Sequence, residues 1–187
     1  MKKLWHMLSI LLCSWTVSGQ DIDFSYIQLW DVQKENIVPI PIDQTITVLI
    51  FTGTDCPYDK RYKSRITALK QQYGDQADFI LINAHTPHQN KDNATQTKTQ
   101  AAKYNMPYFL DLNQEAMKLF QIEKSPEVAI IWYQNGKHSL VYHGAIDDSP
   151  QSSSDVHTHY VQDVLNNLIK GRPSPHEFNR AAGCRIR

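Results

Sequence analysis

Thr45-Ile-Thr-Val-Leu-Ile-Phe51 is a continuous β-branched and apolar run. A strand of that composition fits a sheet covered on both faces, since one-sided burial would leave an alternating pattern. The run ends in Thr52-Gly-Thr-Asp55, a turn-forming cluster, and Cys56-Pro57 comes next. Beyond it Tyr62, Ile66, Leu69 and Tyr73 recur at helical spacing, one apolar face of a helix reaching about Tyr73. Pro57 suits the first helical position, where its missing N–H has no partner to lose. A doubly covered strand leading straight into an amphipathic helix points to an α/β layer architecture.

The rest of the chain continues the alternation. Tyr26 to Val32 alternates loosely and reads as a strand, before Pro39 and Pro41 break the chain. Phe79-Ile-Leu-Ile-Asn83 is a second short apolar strand. His85 to Gln100 is a polar loop leading into a helix that ends near Tyr104. Tyr108 to Leu110 reads as a brief strand and Gln114 to Phe120 as a short helix. Val128 to Tyr133 and Ser139 to His143 flank Asn135-Gly136, the strongest short-range hairpin signal. Val156 to Ile169 closes the domain as an amphipathic helix with Val161, Leu165 and Leu168 on one face. Parallel strands joined through helices, plus a terminal hairpin, give a central mixed sheet with helices on both faces.

Residues 1–19 differ in character from the remainder of the chain. Lys2 and Lys3 precede the largely apolar, uncharged Leu4–Val17, and Val17-Ser-Gly19 offers small residues for cleavage before Gln20. The segment reads as a signal peptide for an exported protein, periplasmic or secreted. The run is short of the roughly 20 residues a spanning helix needs, so an uncleaved anchor is the lesser reading. Cleavage removes Lys2, Lys3 and Cys13, leaving 17 basic and 19 acidic residues and two cysteines. The domain expected is 20–170, with a tail over 171–187 that starts too rich in proline to continue a helix. At 41% hydrophobic, 20% charged and zero formal net charge, the chain offers no basic surface for nucleic acid.

Cys56 is the candidate nucleophile. It lies between the end of a buried strand and the start of a helix, where unpaired N–H groups and the helix dipole favour a thiolate. Asp55 and Asp59 oppose that, and Lys60 and Arg61 compensate only by folding back. The plain alternative is a small buried core residue. Cys184 has two readings: a resolving or bridging thiol for Cys56, or an end-of-chain cysteine with no such role. An even pair in an exported protein favours a disulfide. Ser125-Pro126 precedes a buried strand, where either an ordinary trans proline or a cis bond fits.

Other groups carry less. His85 with His88, and His157 with His159, lack a carboxylate or cysteine at zinc spacing, so no metal is expected. Asp147-Asp148 reads as a turn before a helix rather than a cation site. Trp132, Tyr133 and Tyr142 read as sheet packing. No nucleotide-binding loop is present, and no cofactor is called for.

Phe51-Thr-Gly-Thr-Asp-Cys-Pro-Tyr-Asp-Lys-Arg-Tyr-Lys-Ser-Arg-Ile66 resembles the active-site segment of thioredoxin-like redoxins, in the peroxiredoxin-like branch called the alkyl hydroperoxide reductase/thiol-specific antioxidant domain family. Phe79–Asn83, Ser125-Pro-Glu-Val128, Tyr142–Asp148 and the ending Gly183-Cys-Arg-Ile186 match in the same order. The resemblance implies a thioredoxin fold, with Pro126 as a cis-proline against Cys56, Thr54, Pro57 and Ser125 shaping the site, and Cys184 paired with Cys56. Two departures matter. Asp59 replaces the second cysteine of Cys-x-x-Cys. Leu49 and Gly53 stand where peroxiredoxins carry the proline and threonine that help activate peroxide.

These readings give an exported thiol oxidoreductase, peroxiredoxin-like or disulfide-exchanging, with Cys56 attacking and Cys184 resolving. Its partners would be a peroxide or a protein disulfide and an external thiol reductant. The alternative is a redox-inert binding module on the same scaffold, stapled by a Cys56–Cys184 disulfide.

Overall fold

The computed structural model describes residues 22–85 and 93–187. The signal segment expected over 1–19, and residues 86–92 of the polar loop with His88, lie outside the described residues. At the centre is β3 (Ile46–Phe51), buried along its whole length as its composition requires. It pairs in parallel with β4 (Asp78–Asn83) and antiparallel with β7 (Glu127–Gln134). Beyond β4 lie β5 (Tyr108–Leu110), β1 (Gln28–Asp31) and the edge strand β2 (Asn36–Pro39). On the other side β8 (Lys137–Gly144) returns from β7 through Asn135 and Gly136, both at positive φ. A short β9 (Phe178–Asn179) then adds in parallel. The resulting order, β2-β1-β5-β4-β3-β7-β8-β9, is the expected mixed sheet.

Successive side chains of β3 go to opposite faces, and each face has its own core. Val48 and Ile50 join Tyr62, Ile66 and Leu69 of α1 (Pro57–Tyr73), Tyr104 of α2 (Asn93–Tyr104), and Val161 and Leu165 of α4 (Tyr160–Leu168). Leu49 and Phe51 pack on the other face with Ala116 of α3 (Glu115–Leu119), Phe120, Ile122 and the tail residue Ile186. Each such side chain removed from water contributes about 1.5–3 kcal/mol. Helices therefore cover both faces, three on one and the short α3 on the other.

Three local expectations need correction. The last helix begins at Tyr160, not Val156. Val156 is extended, and Asp148 holds the segment by accepting the His157 N–H at 2.9 Å and donating its own N–H to Thr158 O at 3.2 Å. Pro39 does not break the chain but ends β2, an edge strand that tolerates the missing donor. Tyr133 is not packed in the sheet: it is 43% exposed and lies against His138 with ring centroids 4.6 Å apart. The tail after the last helix folds back onto the domain. Besides β9 it forms β10 (Cys184–Arg185), which pairs antiparallel with β6 (Lys124–Ser125). Its attachment to β8 requires Gly144, where a side chain would strike the Asn179 backbone. Among the described residues no helix is long and apolar enough to cross a membrane.

Candidate active site

The chain leaves β3 at Thr52, whose hydroxyl meets the Tyr108 hydroxyl at 2.5 Å beneath the turn. Gly53, Thr54 and Asp55 carry it to Cys56, the N-cap of α1, with Pro57 in the first turn. Cys56 thus sits at the positive end of the helix, although its side chain accepts no capping hydrogen bond from the backbone. Thr54 Oγ1 donates to Gln96 Oε1 at 3.1 Å, tying the turn to α2.

Cys56 Sγ is bonded to Cys184 Sγ, with the two Cα atoms 5.9 Å apart and 128 residues between them in sequence. Cys184 reaches this position because β10 lies in register with β6, Cys184 opposite Ser125 and Arg185 opposite Lys124. The Ser125–Pro126 peptide is cis, and the Ser125 carbonyl oxygen lies 3.4 Å from Cys56 Sγ. Thus Cys56, Cys184, Ser125 and Pro126 converge on one point. Thr54 and Pro57 flank it, the first half-buried and the second exposed. Cys56 itself is 6% exposed, whereas Cys184 is half-buried.

Beneath the disulfide lies a polar cluster whose composition the sequence did not disclose. Asp59, one helical turn after Cys56, is buried, and its Oδ2 accepts the Gly53 N–H at 2.7 Å. Burial pushes its carboxyl up to about 7, against the lowering effect of that hydrogen bond. His85 Nε2 lies 3.2 Å from Ser125 Oγ, and burial pushes its imidazole down while Asp55 opposes the shift. Burial raises the hydroxyls of Tyr104 and Tyr108 as well, with the Asp59 charge adding to both. A charged residue in the first helical turn normally reads as solvated, so only the missing second cysteine at position 59 marked the place.

Arg61 does not fold back over Cys56: its Nη1 donates to Gln151 Oε1 at 2.6 Å. Arg65 is also committed, since its Nη1 lies 2.9 and 2.8 Å from the two Asp147 oxygens while Tyr62 donates to the same carboxylate at 2.9 Å. Asp147 is thus part of the packing of α1. His157 and His159 are exposed, and among the described residues no group of three or more His, Cys, Asp or Glu is placed to hold a metal.

Between β6 and the tail is an open cleft of about 580 Å³ bordered by Glu123, Lys124, Glu127, His143, Arg180 and Ala181. Glu127 Oε2 accepts the Glu123 and Lys124 N–H groups at 2.8 and 2.9 Å, which fixes the strand that carries Ser125. Lys124 Nζ donates to Ala181 O at 2.7 Å and so clasps the tail ahead of Cys184.

The fold has counterparts. Residues 43–138 match the model of a family described as thioredoxin-like. A conserved protein of uncharacterised function from Geobacillus kaustophilus superposes with a TM-score of 0.77 at 25% identity, covering 90% of each chain. A hypothetical protein from Sinorhizobium meliloti gives 0.73 at 19% identity, over 90% of this chain and 96% of that one. A thioredoxin-like protein from Aeropyrum pernix gives 0.52 at 15% identity, over 66% and 82%. No curated protein sequence matches this chain. The likenesses establish the fold, a central mixed sheet of the thioredoxin kind.

Proposed function

The chain belongs to the thioredoxin-like family, and from that premise we propose that it is an exported thiol oxidoreductase exchanging disulfides with protein partners, with Cys56 as the attacking and Cys184 as the resolving thiol. The observation that carries this reading is the Cys56–Cys184 bond at the N-terminus of α1. Export rests on the character of residues 1–19 and on the oxidised pair.

The two sulfurs differ in a way that orders the chemistry. Cys184 is the more exposed of the two residues, and its sulfur is the one an external thiolate attacks. The bond to Cys56 breaks, and Cys56 leaves as a thiolate at the positive helix end, where departure is easiest. A second reductant thiolate then attacks the mixed disulfide and frees Cys184, which takes up a proton. In the other half-reaction the Cys56 thiolate attacks a partner disulfide, one partner sulfur leaves as a thiolate, and Cys184 attacks Cys56 to release the other. Two electrons pass from reductant to partner and the Cys56–Cys184 bond is restored.

Disulfide exchange is favoured over peroxide reduction by the Leu49 and Gly53 departures, which remove the residues that help peroxiredoxins activate peroxide. Reduction of insulin disulfides by dithiothreitol tests the reading: the protein is expected to accelerate it, with the acceleration lost in Cys56→Ser. A bond that resists glutathione and has a potential below about −300 mV would instead mark the redox-inert stapled module.

A further inference from the structure

Ser125 brings a hydroxyl to the disulfide as well as a carbonyl. It stands directly opposite Cys184 in the antiparallel β6–β10 pair, and residues so paired direct their side chains to one face, with Cβ atoms about 5 Å apart. The Ser125 hydroxyl is therefore a neighbour of the Cys184 sulfur. Ser125 is fully buried, and its Oγ lies 3.2 Å from Nε2 of His85, just beyond β4. His85 is half-buried, so it links that hydroxyl toward solvent. Two features place the ring. The His85 N–H donates to Asn83 Oδ1 at 3.0 Å. Gly53 lies against the imidazole, and a Cβ there would meet Nε2 at 3.0 Å. The glycine at the place where peroxiredoxins carry threonine thus leaves room for the ring.

The groups around this pair are mostly acidic. Asp55 of the turn faces His85, and Asp59 of α1 lies on the same side of Gly53 and also meets the Ser125 hydroxyl. Tyr104 of α2 and Tyr108 of β5 border Asp59, and burial keeps both hydroxyls protonated. Of the cations beside Cys184, Lys124 is tied to Ala181 O and Arg185 is exposed. Burial pushes His85 below its ordinary value against the pull of Asp55, which leaves a neutral ring able to accept a proton at neutral pH.

We propose that His85, acting through the Ser125 hydroxyl, is the base that takes the proton of Cys184 when Cys184 resolves a mixed disulfide on Cys56. The proposal rests on the disulfide-exchange reading and adds the proton path of its last step. The Cys184 thiol gives its proton to Ser125 Oγ as the Ser125 proton passes to His85 Nε2. The sulfur so freed attacks Cys56 Sγ, the bond from Cys56 to the partner breaks, and the partner sulfur leaves as a thiolate. His85, now an imidazolium, returns its proton to water. In the reducing half-reaction the same path runs backward and delivers a proton to Cys184 as it is released. Ser125 touches the reacting thiol, whereas His85 acts through it. An ionised Asp55 or Asp59 strengthens the base, since negative charge favours the imidazolium.

The test follows coloured thionitrobenzoate when the reduced protein meets one equivalent of its symmetrical disulfide. Attack by Cys56 releases the first anion. Attack by Cys184 on the resulting mixed disulfide releases the second, at a rate independent of protein concentration. That second rate is measured from pH 7 to pH 9. In wild type it is expected to vary by no more than about threefold, because the base is already neutral at pH 7. In His85→Gln it is expected to rise roughly 20-fold over the same range, following the thiolate fraction of a thiol with the ordinary value of about 8.5, and to meet wild type near pH 9. Ser125→Ala carries the same expectation and stands in should His85→Gln fail to fold. Parallel profiles, whether the variants are equal to wild type or slower by one factor at every pH, overturn the relay and leave disulfide exchange standing. A slope created by Asp59→Asn in place of His85→Gln assigns the proton to Asp59 and overturns it too. A wild type in which Cys56 releases no first anion, or Cys184 no second, overturns the exchange reading together with the relay.

Discussion

The Gly53 N–H donates to Asp59 Oδ2 at 2.7 Å, so the first turn of α1 is pinned to the loop that leaves β3. The second oxygen, Oδ1, is buried without a hydrogen-bond partner. An ionised carboxylate is disfavoured there, and burial pushes the group from its ordinary 3.8 up to about 7. In the unfolded chain it loses its proton near 3.8, whereas the folded chain keeps it to about 7. The unfolded state therefore binds fewer protons across that interval, and stability falls as pH rises through it, levelling off above.

Asp59→Asn cannot ionise and is expected to lack this slope. Wild type should lose a few kcal/mol relative to the variant between pH 4 and 7, because each tenfold change in proton affinity is worth about 1.4 kcal/mol. Urea unfolding of both oxidised proteins at pH 4.5 and 7.5 measures it. The same slope in both would show that Asp59 ionises freely in the folded chain.

The strands, the helix after Cys56 and the hairpin were legible because their signals are short-range: an unbroken apolar run, a helical period, Asn135-Gly136. The tail was not, because two-residue strands have no periodicity, and Cys184 is fixed opposite Ser125 by a contact between segments 59 residues apart. The ending Gly183-Cys-Arg-Ile186 stood out only by resemblance, and the physical constraint on Gly183, the Ser125 carbonyl, is visible only in the fold. Asp59 reads in the sequence as a charge near a thiol, since burial of a first-turn acid depends on Gly53 folding over it. Val156 has the right spacing for α4, but the Asp148 hydrogen bonds keep that segment extended.

Removing the tail's bond should expose its contribution to stability. A cross-link between residues 128 apart constrains the unfolded chain, and its loss typically costs about 2–4 kcal/mol. Cys184→Ser is expected to unfold at lower urea by that amount relative to oxidised wild type. Under dithiothreitol, where wild type is also uncrosslinked, the two should nearly coincide. A gap that survives reduction would place the loss in the packing around Cys184 rather than in the bond.

Arg65 and Asp147 form a buried pair at 2.8 Å, with side chains 13% and 3% exposed, distant in role from the disulfide. Arg65→Met leaves the Asp147 carboxylate without its cation, although Tyr62 still donates to it. Breaking one half of such a pair costs about 3–5 kcal/mol. The variant should unfold earlier in urea yet, while folded, reduce insulin disulfides at the wild-type rate. A loss of exchange without a loss of stability would place Arg65 in the chemistry instead.

Ile186 separates tail docking from the global fold. Its side chain fills the far end of the cluster that contains Leu49, Phe51 and Phe120, and removing such a group costs about 2–5 kcal/mol where the site cannot collapse. While the Cys56–Cys184 bond is intact the tail is held by covalent linkage, so Ile186→Ala should lower the urea midpoint. The larger effect is expected on access: with β10 less firmly seated, the bond lifts into solvent more often. Its reduction by excess dithiothreitol should accelerate by about tenfold or more, in proportion to the opening equilibrium. The measurement is the rate at which thiols become available to iodoacetamide, at a urea concentration where both proteins remain folded. If the rate does not change, the sulfurs are attacked without the tail moving, and the pairing of β10 with β6 does not control access to Cys56.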